Sequence, residues 1–264
     1  MAPIPAPRLA AQLPWTQVFR LAKAGATALL PVGSTEAHGP HLPLSVDVLI
    51  AEAVCQRVAL RLEAQGIPAV VFPAVSYALT DFAAAFAGTV SVSAATSRDY
   101  LADVMAGIAR AGFARVGVIN HHLEPAHFRV VHEAAELAAR RTTAKVVVPD
   151  HRKRPFSPLL GVEFTQGGSH AGAYETSLVL AAAPQFVDEA VRAGLPELAV
   201  DLPARIKAGA KDFAECGGAD AYFGNPAAAS REEGERLLEL LADHAAAALS
   251  DSAPRTTGPP LPRK

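Results

Sequence analysis

The sequence predicts an α/β fold in which a largely parallel sheet is covered by helices on both faces. Apolar segments of strand length alternate with amphipathic segments of helix length, and the strand segments are continuously apolar, as strands buried on both faces are. Because half of the 264 residues are hydrophobic, we expect one large core and a single domain over residues 1–250. The polar, proline-rich residues 251–264 are expected to form a disordered tail.

The first half of the chain begins this alternation. Thr16 caps a short helix, and the apolar run ATALLPVG at residues 26–33 predicts a buried strand. The apolar spacing predicts a helix over residues 48–65, which Gly66 stops. The run IPAVVFPAV at residues 67–75 predicts the next strand.

The alternation then continues, and right-handed βαβ units are expected. Strands are predicted at 89–93, 114–120 and 144–150, and helices at 97–111 and 125–140. The irregular segment 151–168, which contains prolines and glycines, is long enough to shape a site rather than only connect two elements. A last amphipathic helix over 230–250 starts with a capping box at Ser230 and Glu233.

Charge and cysteine content exclude several classes of function. Lysine plus arginine (24) nearly balance aspartate plus glutamate (26), so neither nucleic acid nor a membrane is an expected partner. We expect a small-molecule substrate instead. Cys55 and Cys216 lie far apart, which favours neither a disulfide framework nor a thiolate metal site. We find no signal peptide and no apolar stretch of the ~18 residues that a membrane span needs, so a cytoplasmic protein is expected.

Pairs of histidine and carboxylate follow two of the predicted strands, where open α/β sheets place their sites. In GSTEAHGPHLPLSVD, Glu36 and His38 are two residues apart and point the same way in an extended chain. In NHHLEP, His122 and Glu124 repeat this spacing. Each carboxylate has an ordinary alternative, a turn for Glu36 and a helix N-terminus for Glu124. Two such pairs at two strand ends nevertheless indicate metal ligands.

Asp47 completes the predicted metal site. Alone, it is typical of an N-cap of the following helix. Together these residues offer five nitrogen and oxygen ligands, more than one catalytic zinc usually takes, so two divalent ions that share Asp47 fit better. Zinc is the expected metal, with manganese and iron as alternatives. Two ions about 3.5–4 Å apart activate a shared water near neutral pH, so the pattern indicates a hydrolase.

A third cluster, GGSHAGAYETS, supplies the candidate acid and base. His170 lies at the start of a predicted helix with Ser169 as its candidate cap, and a helix N-terminus disfavours a protonated imidazole. A neutral His170 beside the metals is expected to accept a proton from the water and deliver it to the leaving nitrogen, with Glu175 orienting the ring.

The remaining histidines fall into two groups. His41, His121 and His127 lie in or beside the ligand clusters, and we expect them to orient ligands by hydrogen bonding, with contact to metal or substrate left open. Three others are expected at the surface without a role, namely His132, His151 and His244.

Three motifs resemble those of the creatininase (creatinine amidohydrolase) family. The family loop G-S-x-E-Q-H-G-P-H-L-P, with an aspartate nine residues after its histidine, is similar to GSTEAHGPHLP followed by Asp47. NHHLE is similar to the family's N-G-H motif, and HAGAYETS matches its H-A-x-x-x-E-T-S. The three motifs span about residues 30–180, and their order makes them far more specific than a single E-x-H pair.

This resemblance implies a three-layer α/β/α sandwich with a mainly parallel sheet, a two-metal site and a homo-oligomer, in this family a hexamer. Carried over residue by residue, the metal ligands fall on Glu36, His38, Asp47, His122 and Glu124, with Asp47 as the bridge. The catalytic candidates are His170, Glu175 and Glu124. Relatives that carry glycine at the Glu124 position include a formamide deformylase and a peptidase. At this position the chain resembles creatininase, which has glutamate.

Departures from the family pattern concern the substrate. Members that hydrolyse creatinine enclose its flat ring with tryptophans, one of them four residues before the catalytic histidine, where this chain has Gln166. The chain's only tryptophan is Trp15, far from the motifs. Ala37, Ala87 and His121 replace the family's glutamine, proline and glycine.

We therefore expect hydrolysis of a C–N bond in a small cyclic amide or formamide other than creatinine. Two alternatives come from the same family, a hydrolase that opens a ring or a carbon–carbon bond in a keto-sugar, and a peptidase. A third alternative is an inactive, metal-stabilised assembly or binding subunit. The intact set of ligands together with His170 argues against this third alternative.

Overall fold

A computed structural model describes residues 6–250. Four parallel strands form its sheet in the order β2-β1-β3-β4, with β1 at Thr27–Val32, β2 at Ala69–Val71, β3 at Arg115–Asn120 and β4 at Lys145–Val147. The α-helices are α1 (Trp15–Lys23), α2 (Val46–Ala64), α3 (Ala94–Arg110), α4 (Pro125–Arg141), α5 (Val162–Gln166), α6 (Ala173–Ala182), α7 (Glu189–Gly194), α8 (Leu202–Lys207) and α9 (Arg231–Ser250). None of these described helices is both long and apolar enough to cross a bilayer. The predicted tail at 251–264 lies outside the described residues.

Helices cover both faces of the sheet, which confirms the predicted three-layer α/β/α sandwich. Side chains alternate along β1: Ala28 and Leu30 pack with α1, α3 and α4, whereas Leu29 packs with α2, α6 and α9. Every residue of β1 and β3 is buried. Burial of each leucine contributes about 1.5–3 kcal/mol, so these continuously apolar strands hold the layers together.

Two predicted helix starts differ from the structure. Pro14 rather than Thr16 precedes α1 as its N-cap. The hydroxyl of Ser230 accepts a hydrogen bond from the backbone N–H of Glu233 (3.2 Å), as predicted for α9. The carboxylate of Glu233 pairs with Arg236 instead of returning to the cap, so half of the capping box forms.

One predicted strand is wrong and two are shorter than predicted. Over 89–93 the N–H of Val90 donates to one loop, at Thr35, and that of Val92 donates to another, at Ala78, so no ladder forms. The predicted strand 67–75 is reduced to β2 because Pro73, which lacks an N–H, follows it closely. The predicted strand 144–150 is likewise reduced to β4.

The segment 151–168 contains α5 and, as predicted, helps to shape a cavity. It lies against α8 at Gly167, where a Cβ would meet the ring of Pro203 at 2.1 Å and the backbone of Leu202 at 2.9 Å. Gly167 also has φ +93, which favours glycine. Glycine therefore lets the segment and α8 form one continuous wall.

Candidate active site

The carboxyl ends of β1 and β3 bring the predicted ligands together. The two strands pair directly, with Val32 opposite Asn120, so the loops that follow them meet at one edge. A Cβ at Gly33 would lie 2.6 Å from the backbone nitrogen of Val48. Only glycine lets the chain leave β1 so close to α2, and this approach brings Asp47 to the site. Asp47 lies within the first turn of α2 rather than at its cap.

Backbone carbonyls orient both predicted histidine ligands. Nδ1 of His38 donates to the carbonyl of Glu36 (3.1 Å), which leaves Nε2 facing the carboxylates. Nε2 of His122 donates to the carbonyl of Leu79 (2.9 Å), which leaves Nδ1 facing the same cluster. Hydrogen bonds of this kind fix the tautomer and direction of a metal-binding imidazole.

Among the described residues, the side chains form three candidate groups: two share Asp47, and the third joins Glu36, His38 and His170. One oxygen of Asp47 is 3.1 Å from Nδ1 of His122, which lies 3.2 Å from Glu36. The other oxygen is 3.4 Å from Nε2 of His38, which lies 3.5 Å from Glu175. Ligands held about 2.0–2.2 Å from a tetrahedral zinc are about 3.3–3.6 Å apart. The spacing therefore fits one ion in each group that contains Asp47, with this carboxylate between them.

Neighbouring polar groups fix the three carboxylates. The hydroxyl of Ser34 donates to Asp47 (2.6 Å), and that of Thr80 donates to Glu36. The backbone N–H of Ala171 donates to Glu175 (2.7 Å). Each bond leaves its carboxylate directed at the cluster, as the supporting contacts of metal ligands do.

The cluster attracts positive charge. Burial alone would lower the pKa of His38, but Asp47, Glu175 and Glu36 raise it to about 10. Burial likewise opposes ionisation of Asp47, yet the imidazoles opposite hold the pKa of this carboxyl well below its usual range. Nε2 of His38 is buried without a hydrogen-bond partner. A buried nitrogen that makes no hydrogen bond and faces several carboxylates is suited to a metal ion.

His170 lies against this cluster. Its Nε2 donates to the carbonyl of Ala37 (3.0 Å), and its ring lies 4.4 Å from that of His38. Burial, followed by His38, lowers the pKa of His170 to about 3, so the ring is neutral, and its Nδ1 faces Glu36 at 3.9 Å without a hydrogen bond. Gly172 rather than Ser169 precedes α6 as its N-cap, so burial replaces the predicted helix dipole as the cause of neutrality.

The positions of Glu175 and Glu124 differ from their predicted roles. The carbonyl of Ala37 orients His170, whereas Glu175 faces His38 within one of the two groups. Glu124 belongs to none of the candidate groups found in residues 6–250. Its carboxylate instead accepts a hydrogen bond from the N–H of Phe82 (3.3 Å), and burial raises its pKa to about 7. Coordination by Glu124 stays a prediction.

The other histidines near the cluster lie outside the described groups. Nε2 of His127 donates to the side-chain oxygen of Asn120 (2.9 Å), whose amide donates to the backbone of His122 (2.9 Å). His41 is hydrogen-bonded to Thr176 (2.8 Å). His127 thus supports the segment of His122, as predicted, whereas His41 forms no hydrogen bond with a predicted ligand among the described residues. His121, for which the same role is predicted, stacks on Tyr174 (5.7 Å) instead, and its buried Nε2 makes no hydrogen bond within the described chain.

The surface location predicted for His151 is wrong. It is buried, with its ring 5.6 Å from that of His121. His244 is partly buried and stacks on Phe156 (4.2 Å), while His132 lies near Asp150 (4.0 Å). Isolated histidines in the sequence gave no sign of this packing.

A cavity of about 530 Å³ opens onto the cluster. Residues that the sequence did not single out form much of its wall, namely Phe82, Phe164, Phe213, Leu202, Pro203, Ile206, Arg152, Arg154 and Lys207. Only the length of the segment 151–168 hinted at some of them. The ring of Phe213 lies 4.3 Å from that of His170, which shields this side of the site from water.

Comparison with known proteins extends over nearly the whole chain. A model of the creatininase family, described as creatinine amidohydrolase, matches residues 11–249. The chain is 31% identical over 266 residues to creatinine amidohydrolase of Pseudomonas putida, covering 93% of this chain and 97% of that protein. It is also 31% identical over 223 residues to a mycofactocin precursor peptide peptidase of Mycobacterium tuberculosis, covering 81% of each.

Solved structures agree with this comparison. A manganese creatininase superimposes with a TM-score of 0.75 at 28% identity, covering 94% of this chain and 100% of that one. A creatininase variant in a Zn–Zn form gives a TM-score of 0.74 at 27% identity, covering 94% and 98%. The fold observed here is thus that of these metal-containing hydrolases.

Proposed function

The chain belongs to the creatininase family of hydrolases, and on this basis we propose that it is a binuclear metal-dependent amidohydrolase that cleaves a C–N bond in a small cyclic amide or formamide. One observation carries the proposal: Asp47 faces a separate group of ligands with each of its two oxygens. A carboxylate in this position is the bridge that a two-metal hydrolase needs.

We assign Glu36, Asp47 and His122 to one ion, and His38, Asp47 and Glu175 to the other. Glu175 thereby takes the place that the sequence suggested for Glu124. The nitrogen and oxygen donors suit zinc and manganese, which the related structures contain. Two divalent ions also balance the four carboxylates of this region, those of Glu124 and the three proposed ligands.

When bound, the two ions polarise the amide carbonyl and lower the pKa of a water molecule. His170 is neutral, and its Nδ1 is free to take a proton from this water as the oxygen bonds to the carbonyl carbon. The same nitrogen returns the proton to the leaving amine as the C–N bond breaks. Ala37 holds the ring in the required tautomer throughout.

We propose that Glu124 assists this proton transfer. It lines the cavity and lies two residues after His122 in the sequence. No cationic side chain of the described chain lies within 4.0 Å of its carboxylate, and its one recorded contact is the N–H of Phe82. Glu124 therefore has an oxygen available for a substrate N–H or for the water.

The cavity favours a substrate other than creatinine. The only tryptophan, Trp15, is 76% exposed and does not line the cavity. A flat ring of creatinine's size would fill only a fraction of about 530 Å³. This volume also supports a second candidate function, a peptidase that accepts a short peptide.

Turnover by the zinc- or manganese-loaded protein tests both candidates. Lactams, hydantoins, formamides and short peptides are compared by following the released amine. Hydrolysis of a cyclic amide or formamide supports the first function, and hydrolysis of peptides alone supports the second. Loaded protein that cleaves no amide in either set contradicts the proposal.

A further inference from the structure

The cavity wall carries positive charge away from the cluster of proposed ligands. The acidic residues that line the cavity are two of the proposed ligands, Glu36 and Glu175, and Glu124, which lies two residues after the proposed ligand His122. The rest of the lining contains three cations and no anion: Arg152, Arg154 and Lys207. Because two divalent ions already balance the carboxylates, the cluster does not need these side chains for neutrality.

Arg152 is balanced locally. Its guanidinium forms two hydrogen bonds with Asp150 (3.0 and 3.1 Å) and lies 3.2 Å from the ring centre of Phe128. These contacts fix the start of the segment 151–168. Arg152 therefore holds the wall in place, and its charge is satisfied by Asp150.

Arg154 and Lys207 are not balanced. Within residues 6–250, neither has a carboxylate within the 4.0 Å that defines an ion pair. Lys153, an exposed neighbour of Arg154, is by contrast paired with Asp150 (3.6 Å). The two unpaired charges of this wall thus face the cavity.

The two cations belong to segments that touch each other. Arg154 lies in the segment 151–168 and Lys207 ends α8, and the close contact at Gly167 joins the two segments. Apolar side chains line the same cavity, including Phe164, Leu202 and Ile206. A ligand that fills the cavity therefore meets this apolar surface as well as the metal cluster and the cations.

We propose that the substrate of this site carries a carboxylate, separated by an apolar spacer from the bond that is cleaved, and that Arg154 and Lys207 bind this carboxylate. The inference rests on the proposed amidohydrolase function and adds the class of its substrate. An acid on a cyclic amide and the C-terminus of a short peptide present the same group. A cationic substrate would be repelled by the same wall.

Matched inhibitors test this proposal. Hydroxamates with tails of two to six methylenes bind metal at one end and carry either a carboxylate or a neutral carboxamide at the other. Calorimetry with the zinc-loaded protein gives Kd for each pair. At the best length, the carboxylate is expected to bind on the order of tenfold more tightly, because it meets two cations.

Variants identify the residues responsible. Arg154→Gln and Lys207→Gln should each remove much of this preference for the carboxylate, and the double variant should abolish it without changing the Kd of the carboxamide. Matched controls are Lys153→Gln and Arg205→Gln, which alter neighbouring exposed cations outside the cavity lining. The controls should keep the full preference.

The outcomes separate the two proposals. Equal binding of both series at every length, with tight binding of each, overturns the carboxylate site and leaves the metal hydrolase intact. A preference that survives in the double variant also overturns it. Failure of both series to bind loaded protein overturns the carboxylate site together with the function on which it rests.

Turnover distinguishes the source of the carboxylate. A hydantoin bearing an acetate side chain and a short peptide with a free C-terminus are each compared with their amidated forms. Whichever acid is cleaved faster than its amide, in a manner that depends on Arg154 and Lys207, identifies the substrate. No preference for either acid contradicts the proposal.

Discussion

The metal cluster and the cavity wall are built in different ways. The cluster lies at the ends of two central strands, where Glu36, His38 and His122 are buried and held by backbone contacts. The wall consists of the segment 151–168 and α8, and its cations Arg154 and Lys207 are exposed. From this difference we infer that the rigid sheet edge provides the reactive groups, and we propose that the outer segments select the substrate.

The largest expected effect separates chemistry from metal binding. His170→Ala removes the proposed proton carrier, so kcat should fall about 100- to 10,000-fold. Metal content should stay unchanged, because His170 is assigned to neither ion. Elemental analysis and steady-state kinetics measure the two quantities, with His132→Ala as the control. Near-normal turnover would remove His170 from the mechanism.

A smaller effect, on metal affinity, is expected from Ser34, which supports the cluster without being a proposed ligand. Ser34→Ala deletes the hydroxyl that holds Asp47 at 2.6 Å. Metal affinity should fall about 10- to 100-fold, as it does when such supporting contacts are lost. Competition with a fluorescent zinc chelator measures the affinity. Thr143→Ala, an exposed change far from the ligands in sequence, should leave it unchanged.

Alanine substitution at two glycines compares a crowded position, Gly33, with an open one, Gly107. Gly33→Ala places a Cβ 2.6 Å from the backbone of Val48 and should lower the free energy of unfolding by about 1–3 kcal/mol. Gly107→Ala meets nothing within 4 Å on α3 and should raise it by about 0.5–1 kcal/mol. Urea unfolding measures both, and equal effects would contradict the close approach at Gly33.

The smallest expected effect on stability comes from Asp150, which holds Arg152 of the cavity wall. Burial raises the pKa of Asp150, but its bonds with Arg152 lower it to about 2. A depressed pKa gives stability that is present above pH ~4 and lost as the pH falls towards 2. Because the group is partly exposed, we expect about 1 kcal/mol. Unfolding of wild type and Asp150→Asn should differ at pH 5 and converge near pH 2.

Much of the fold followed from the sequence because apolar runs on central strands have few alternatives. β1 and β3 lie within one residue of their predicted bounds. The segment 89–93 has the same strand-like pattern, yet its hydrogen bonds go to two different loops, and no local pattern reveals this. Sequence spacing therefore predicted the centre of the sheet better than its surroundings.

The cluster was predictable for a similar reason. Glu36, His38 and His122 lie next to strand ends in short motifs, so sequence spacing translates into distance. The position of Glu175 opposite His38 depends on how α6 packs against the sheet, which spacing alone does not determine. Arg154 and Lys207 carry no motif, and only the contact between their segments reveals them.

Metal content tests the shared role of Asp47 most directly. Elemental analysis of the purified wild type, Asp47→Asn and Glu175→Gln compares the two groups, with Glu52→Gln on the same helix as the control. We predict close to two equivalents per chain in wild type and control, near-complete loss in Asp47→Asn and loss of about one equivalent in Glu175→Gln. Wild-type protein that holds a single ion, or an Asp47→Asn variant that keeps two, would contradict the binuclear site.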